Sequence, residues 1–449
     1  MSTHFTRRSF ISTSALGLAA LSTARAQSQN GKLQHACIGV GGIGAADMKN
    51  FMAHDKLQIV ALCDVDRSRL EAASKLVPGA RLYTDWRELI AKEGDKIDSL
   101  NASVPDHMHA AITMTALAAK KHVYCQKPLC HDVAECRAVA NATRQAGVVT
   151  QLGTQYASGV GDRLAVQLLR QGAIGKVKRA LLCSNRTNAI QQYRLVGPRP
   201  AQTENPPAHL DWDLWLGTAP ARPYASDIYH PMKWRAWQDF GTGWSGDIGC
   251  HIFDALWKGL GLTAPRTIVA EVQKSWQDSA ERRADTWPQS DHITWTFPGN
   301  DMTDGDELTV EWFDGEMFPP EEVRKLSDMA KYPEESLMVI GTEGAMLLPH
   351  QSAPRLYPKE KFKGYAYPKL EQRNHYHHFV DACLGGEKTE SHFEQTAPMT
   401  EAILLGTVAI RVPGEVLQWN APDMKIANNA TAQGLLKRTY RDGWKVAGL

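Results

Sequence analysis

The chain has 449 residues, 50 basic and 49 acidic side chains and a net charge of +1. That length fits about two to three domains, and the balanced charge, with no basic arm or stripe, excludes nucleic acid as the expected partner. With 43% hydrophobic and 22% charged residues the composition is that of a globular protein, not a disordered one.

Residues 1–26 read as a targeting segment outside the fold. Thr6-Arg7-Arg8-Ser9-Phe10-Ile11 resembles a twin-arginine export signal. The apolar stretch Ile11 to Leu21 is too short to span a bilayer comfortably. Ala24-Arg25-Ala26 has the A-x-A cleavage pattern, which leaves Gln27 as the mature N-terminus. No other apolar run has membrane-spanning length, so a soluble exported protein, periplasmic or otherwise, is expected. The partner implied is the twin-arginine export machinery.

Residues 33–152 read as a doubly wound, Rossmann-like α/β domain. Leu33 to Val40 is a buried strand, and Gly39-Val40-Gly41-Gly42-Ile43-Gly44 is a glycine turn. Ala45 to His54 is a helix, and Gln58 to Cys63 a second strand. In that context Gly39 permits the tight turn, Gly41 lets the backbone approach a pyrophosphate, and Gly44 allows close helix–strand packing. The helix start at Gly42 and Ile43 offers free N–H groups and a positive dipole end to the phosphates. Asp64 lies 20 residues after Gly44. Its carboxylate suits ribose hydroxyls and repels a 2′-phosphate, which favours NAD over NADP. Nearby Arg67 moderates that preference.

Further α/β units follow. Trp86 to Glu93 is helical, Ile97 to Ala102 a strand, Ala110 to Lys120 a helix, and His122 to Cys125 a strand. Asp132 to Ala146 is a helix and Val148 to Leu152 a strand. Ligands bind beyond the carboxyl ends of such strands, where Val104, Pro105, His109, Gln126 and Lys127 fall. Gln155 and Tyr156 lie just past another strand end. The eight cysteines form no CxxC pair and no zinc spacing, so no metal is expected. Most lie in apolar runs and read as small core hydrophobes.

Residues 153–449 read as an α+β domain with a large, open, mainly antiparallel sheet. Val177–Cys183, Thr267–Val272, His292–Phe297, Leu308–Phe313 and Leu337–Ile340 are its strands, and Gln395 to Arg411 is an amphipathic helix. Between Asp211 and Asp254 stand Trp212, Trp215, Trp234, Trp237 and Trp244, with Tyr229 and His230 among them. Such aromatics are either core or a cleft wall that stacks on a sugar ring. The glycines of Gly241-Thr242-Gly243-Trp244-Ser245-Gly246 suggest a loop passing close to something. Asp247 and His251, four apart, share a helix face.

Taken together the motifs resemble the Gfo/Idh/MocA family, from about residue 33 onward. They are the Gly39–Gly44 turn, Cys63-Asp64-Val65-Asp66, Val104-Pro105-Asp106-His107, Gln126-Lys127-Pro128, Gln151 to Gln155, Gly172 to Val177 and Asp247 to His251. The resemblance implies an oxidoreductase that moves hydride from a secondary hydroxyl of a sugar, glycoside or cyclitol to a bound nicotinamide. It implies Lys127, His251 and Asp247 as the catalytic group: His251 as acid/base, Lys127 polarising the oxygen, and Asp247 orienting substrate or imidazole. Tyr156, Tyr229, His230, Trp234 and Trp244 are the substrate-side candidates. The family pattern has Glu where this chain has Gln126, which removes a charge beside Lys127. A homo-oligomer paired through the open sheet face is also implied. An exported enzyme must regenerate its NAD in place, so two alternatives stand beside the dehydrogenase: a redox-neutral NAD-dependent glycoside hydrolase, and a non-catalytic binder of NAD or sugar.

Overall fold

The computed structural model describes residues 31–186, 199–201, 203–315 and 317–449. Arg7-Arg8 and the Ala26 cleavage site lie outside these residues.

The first sheet contains β1 (Leu33–Ile38), β2 (Leu57–Cys63), β3 (Arg81–Tyr83), β4 (Ser99–Ala102), β5 (His122–Cys125) and β6 (Thr150–Leu152). Its order is β3-β2-β1-β4-β5-β6, with every pairing parallel. Strands such as Leu57–Cys63 are almost wholly buried, as a sheet covered by helices on both faces requires. The strand order reverses between β1 and β4, and this switch point is where a ligand crevice opens. The helix Val133–Ala146 shows how sharply local sequence sets boundaries. Asp132 and Glu135 form a reciprocal capping box at its start, and Gly147 ends it in the left-handed conformation.

The second sheet has nine strands. They are β7 (Val177–Ser184), β8 (Thr267–Val272), β9 (Asp291–Pro298), β10 (Glu307–Asp314), β11 (Glu335–Gly341), β12 (Ala345–Pro349), β13 (Arg355–Tyr357), β14 (Leu417–Asn420) and β15 (Lys425–Ile426). The order is β13-β12-β11-β7-β10-β9-β8-β14-β15, and only β7 with β10 pairs parallel. Burial alternates along β9, so Ile293, Trp295 and Phe297 face the core. Helices Gly243–Leu260 and Phe393–Ile410 cover that face, and Trp295 Nε1 donates to the Ala402 carbonyl at 2.9 Å. The expected strands are present; β12 to β15 are additions at the two edges.

Two segments return to the first sheet. Helix His375–Cys383 packs on helix Ile43–Met52, where Phe51 meets Tyr376 and Phe379 edge-on. Residues 204–240 form a strap with a core of their own: Leu210, Trp215, Leu216, Tyr224, Tyr229, Trp234, Trp237 and Phe240. All eight cysteines are buried free thiols.

Candidate active site at the switch point

A cavity of about 420 Å³ opens beyond the carboxyl ends of β1, β2, β4 and β5. Gly39, Gly41, Gly42, Ile43, Asp64, Val104, Pro105, Gln126 and Lys127 line it. The glycine turn is required by packing. A Cβ on Gly39, where φ is +82°, would lie 2.2 Å from the Ser103 carbonyl oxygen. One on Gly44 would lie 2.1 Å from the Gly39 oxygen. Gly42 caps helix Ile43–Met52 with no side chain bonded to the helix start; the Gly44 N–H closes back on the Gly41 carbonyl at 2.9 Å, and the helix start still presents its positive dipole end to an anion. These features fit a dinucleotide.

At the far end Asp64 accepts from the Val40 and Asp66 N–H groups, both at 2.9 Å. Burial raises its carboxyl proton affinity, and these two bonds oppose the rise. Arg69 lines the cavity at this end, lying across Gly41 and 3.3 Å from Asp66, whereas Arg67 is exposed.

The strap closes the opposite wall. Leu214, Trp215, His230, Met232, Trp234 and Arg235 line the cavity from that side. Backbone bonds fasten it to the sheet: Arg67 N–H to His209 O at 2.8 Å, Asp211 N–H to Val65 O at 3.0 Å, and His107 N–H to Phe240 O at 3.2 Å. Trp212 and Trp215 stack at 4.7 Å within it.

At the near end two domains meet. Lys127 Nζ donates to Asp247 Oδ1 at 2.7 Å and to the Asp247 carbonyl at 3.1 Å. Arg235 Nε lies 3.7 Å from the other carboxylate oxygen. Asp106, fully buried in the cavity wall, accepts from Thr242 Oγ1 at 3.0 Å. Burial, then repulsion from Asp247, pushes its carboxyl up to about 7, against the pull of Arg235 and Lys127. His251 lies one helical turn past Asp247. Burial, then the Lys127 charge, lowers its proton affinity well below that of a free imidazole. Two shifted titrating groups, Asp106 and His251, beside a lysine–carboxylate pair at the end of a cleft are an arrangement suited to proton-transfer chemistry.

Beneath this site sits a buried hub. The fully buried Asp47 carboxylate accepts from Ser103 Oγ at 2.7 Å, Tyr376 OH at 2.7 Å and Gln126 Nε2 at 2.9 Å and 3.1 Å. A carboxylate therefore does stand against residue 126, carried by Asp47. Gly153 makes room for it, since a Cβ there would lie 2.7 Å from the Gln126 amide oxygen.

Several candidates occupy other places than expected. His109 lies behind the cavity, with its ring nitrogens 2.6 Å and 2.7 Å from the Pro128 and Val104 carbonyl oxygens; it ties two strand-end loops together. Gln155 bonds Tyr376 OH at 3.3 Å, joining the hub and not the cavity lining. Tyr229 is in the strap core. Trp244 donates to the Ser184 carbonyl at 3.0 Å, also away from the lining. His230 faces the cavity at the Asp64 end, 3.3 Å from Asp66. Trp234 lines the cavity under the Arg235 guanidinium, 4.2 Å from its ring. Gly241 and Gly243 admit Arg235 backbone and the Trp287 ring, so this loop's close approach is to protein. Asp247 turns to Lys127 and Arg235. Asp106, Arg69, Arg235 and Asp47 are site residues that sequence reasoning did not single out. Asp106 stood inside a quoted motif, but a carboxylate's burial has no local signature.

Comparison with known proteins agrees with this geometry. Residues 33–154 match the family model described as the Gfo/Idh/MocA oxidoreductase family, NAD-binding Rossmann fold. Residues 164–323 match the C-terminal alpha/beta domain of the same family. The chain belongs to the Gfo/Idh/MocA oxidoreductases. It is 26% identical over 172 residues to levoglucosan dehydrogenase of Pseudarthrobacter phenanthrenivorans, covering 38% of this chain and 34% of that one. It is 29% identical over 147 residues to inositol 2-dehydrogenase of Salmonella typhimurium, covering 32% and 43%. The matches thus span less than half of those relatives. A dehydrogenase from Bordetella pertussis, solved with NADH and UDP-GlcNAcA, shares the fold with TM-score 0.58 at 14% identity, over 87% of this chain and 99% of that one.

Proposed function

We propose that the protein oxidises a secondary hydroxyl of a sugar, glycoside or cyclitol, using NAD rather than NADP held in the cleft. The observation that carries this reading is the 2.7 Å contact of Lys127 with Asp247 at the end of a glycine-lined cavity. Bound nicotinamide supplies the hydride acceptor. Lys127 donates a hydrogen bond to the substrate hydroxyl, and Asp247 aims its side chain. His251, held neutral by burial, receives the hydroxyl proton. Asp64 supports NAD, with Arg69 tempering the preference. To test the reading, denature purified protein and assay for released NAD, then add a broad sugar panel to native protein and follow the reduced-nicotinamide band. Bound NAD with no absorbance change would favour a binder.

Asp106 supplies a pH signature. Its carboxyl ionises as pH rises through about 7, and the anion then strengthens proton acceptance beside Lys127. The single-turnover rate is expected to rise with pH across that range. Asp106→Asn is expected to remove the inflection, as read from a pH–rate profile.

The strap supports a cofactor that does not dissociate between turnovers. Trp215→Ala would cut a wall that is 4% exposed, at a cost of about 3–5 kcal/mol to the strap core. That variant is expected to lose NAD on gel filtration while wild type keeps it, measured by cofactor content per chain. A sealed cofactor favours one second reading, redox-neutral glycoside hydrolysis, in which the cofactor ends each turnover as it began. Release of a free aglycone without added NAD distinguishes it. Export through Arg7-Arg8 belongs to the same proposal and rests on the sequence.

A further inference from the structure

Beside His251 gathers a group of side chains that hydride transfer does not use. Three strand ends of the nine-stranded sheet converge beside His251. Arg186 stands two residues past the end of β7, Glu335 begins β11, and His350 follows directly on β12; pairing of Ser184 with Glu335 and of Ser336 with Pro349 sets them along one edge. Tyr156 closes the group from the turn after β6. Its ring lies 4.8 Å from His350 and 6.3 Å from His251, and the two imidazoles are 5.4 Å apart.

Charges of both signs stand around this group. Arg186 reaches Glu335 at 3.2 Å, but Glu335 also takes Ser184 Oγ at 2.7 Å. The shielded Arg186 Nε has no hydrogen-bond partner among the described residues, and neither has Nδ1 of His251, a residue 8% exposed. Asp247 takes Lys127 at 2.7 Å and Arg235 at 3.7 Å, and Asp106 lies within the field of both cations. Burial, then the charges of Arg186 and Lys127, lowers the His350 imidazole to about 4; burial, then Lys127 and more weakly Arg186, lowers His251 well below a free imidazole. Neutral imidazoles set among cations, with a shielded guanidinium N–H left over, make a receptor for one anionic group.

We propose that the substrate carries a carboxylate, as in a uronic acid or its glycoside, held by Arg186 and His350 while the reacting hydroxyl lies at Lys127. A guanidinium N–H edge matches carboxylate geometry, and a neutral sugar leaves it unpaired. This inference rests on the hydride-transfer reading and deepens it.

The test uses the full chain with its bound cofactor and matched pairs: D-glucuronate with D-glucose, D-galacturonate with D-galactose, and their methyl glycosides. D-Glucose 6-phosphate is the phosphate control. Reduction of bound nicotinamide is followed by absorbance. In at least one pair the acid is expected to show a KM lower than its neutral partner by about 10-fold or more. Arg186→Met is expected to erase that difference, raising KM for the acid by about 10-fold or more with kcat little changed and the neutral partner unaffected. Arg186 is half exposed at a strand end, and His350→Gln provides an independent second variant. Preference for the neutral or phosphorylated sugar, or an acid-to-neutral ratio unchanged in both variants, overturns the carboxylate subsite alone. Failure of every compound to reduce the bound cofactor overturns the hydride-transfer reading beneath it.

Discussion

Lys127→Ala is expected to slow cofactor reduction in a single turnover by about 10²- to 10⁴-fold while NAD stays bound. The two halves of that expectation have separate causes. On the proposed reading NAD is retained mainly by the glycine turn, Asp64 and the strap, which touches Lys127 only through the Asp247 that Arg235 shares with it. On the same reading the rate depends on a cation that meets the hydroxyl oxygen as its proton leaves. The substitution also strips Asp247 of its 2.7 Å partner and leaves Arg235 at 3.7 Å as the remaining cation named at that carboxylate. A buried carboxylate that loses its ion-pair partner costs about 3–5 kcal/mol, so thermal stability should fall as well. Stopped-flow absorbance after substrate addition measures the rate, and cofactor content on denaturation measures retention. His251→Ala should slow the same step. Near-wild-type rates in both variants would sink the assignment.

The Asp47–Gln126 pair is expected to behave as a charge that can be moved but not doubled. Gln126→Glu would replace the amide donor with a second carboxylate at hydrogen-bond distance from Asp47, with no cation among the partners named there. Asp47→Asn would leave Ser103 and Tyr376 with one strong acceptor in place of two carboxylate oxygens. Each single change should lower the melting temperature and loosen NAD. The double variant, Asp47→Asn with Gln126→Glu, restores one charge and one amide to the pair. It should recover about 1–3 kcal/mol relative to the sum of the singles. Thermal unfolding and cofactor content check this, and strict additivity would show that the two residues do not act as a unit.

Much of the first sheet was legible because its signals are local. The strand, glycine turn, helix and acid lie within about thirty residues, and each is enforced by sterics that any observer of the sequence can apply. The longer strands of the second sheet were legible through their apolar runs. β13, β14 and β15 have two to four residues each, too few to carry a period. The tryptophans resisted for another reason. Trp215 and Trp234 face the cavity while Trp237 is core, and their chemistry is the same on either side of a wall. Asp247 and His251 share a helix face as their spacing implied, yet the carboxylate turns to a lysine 120 residues away. Which partner a charged group takes is decided by the assembled fold, not by its neighbours in the chain.

The bond from Tyr376 to Asp47 joins groups 329 residues apart. One end lies on the helix that begins at the glycine turn, and the other arrives after most of the second domain has been made. The strap, too, enters well after β6. The cover of the cleft and one of the supports beneath it are therefore both supplied by later chain. On the proposed reading, firm retention of the dinucleotide would need the finished polypeptide and not only its first 152 residues, and a fragment of residues 31–152 is expected to hold NAD more weakly than the full chain.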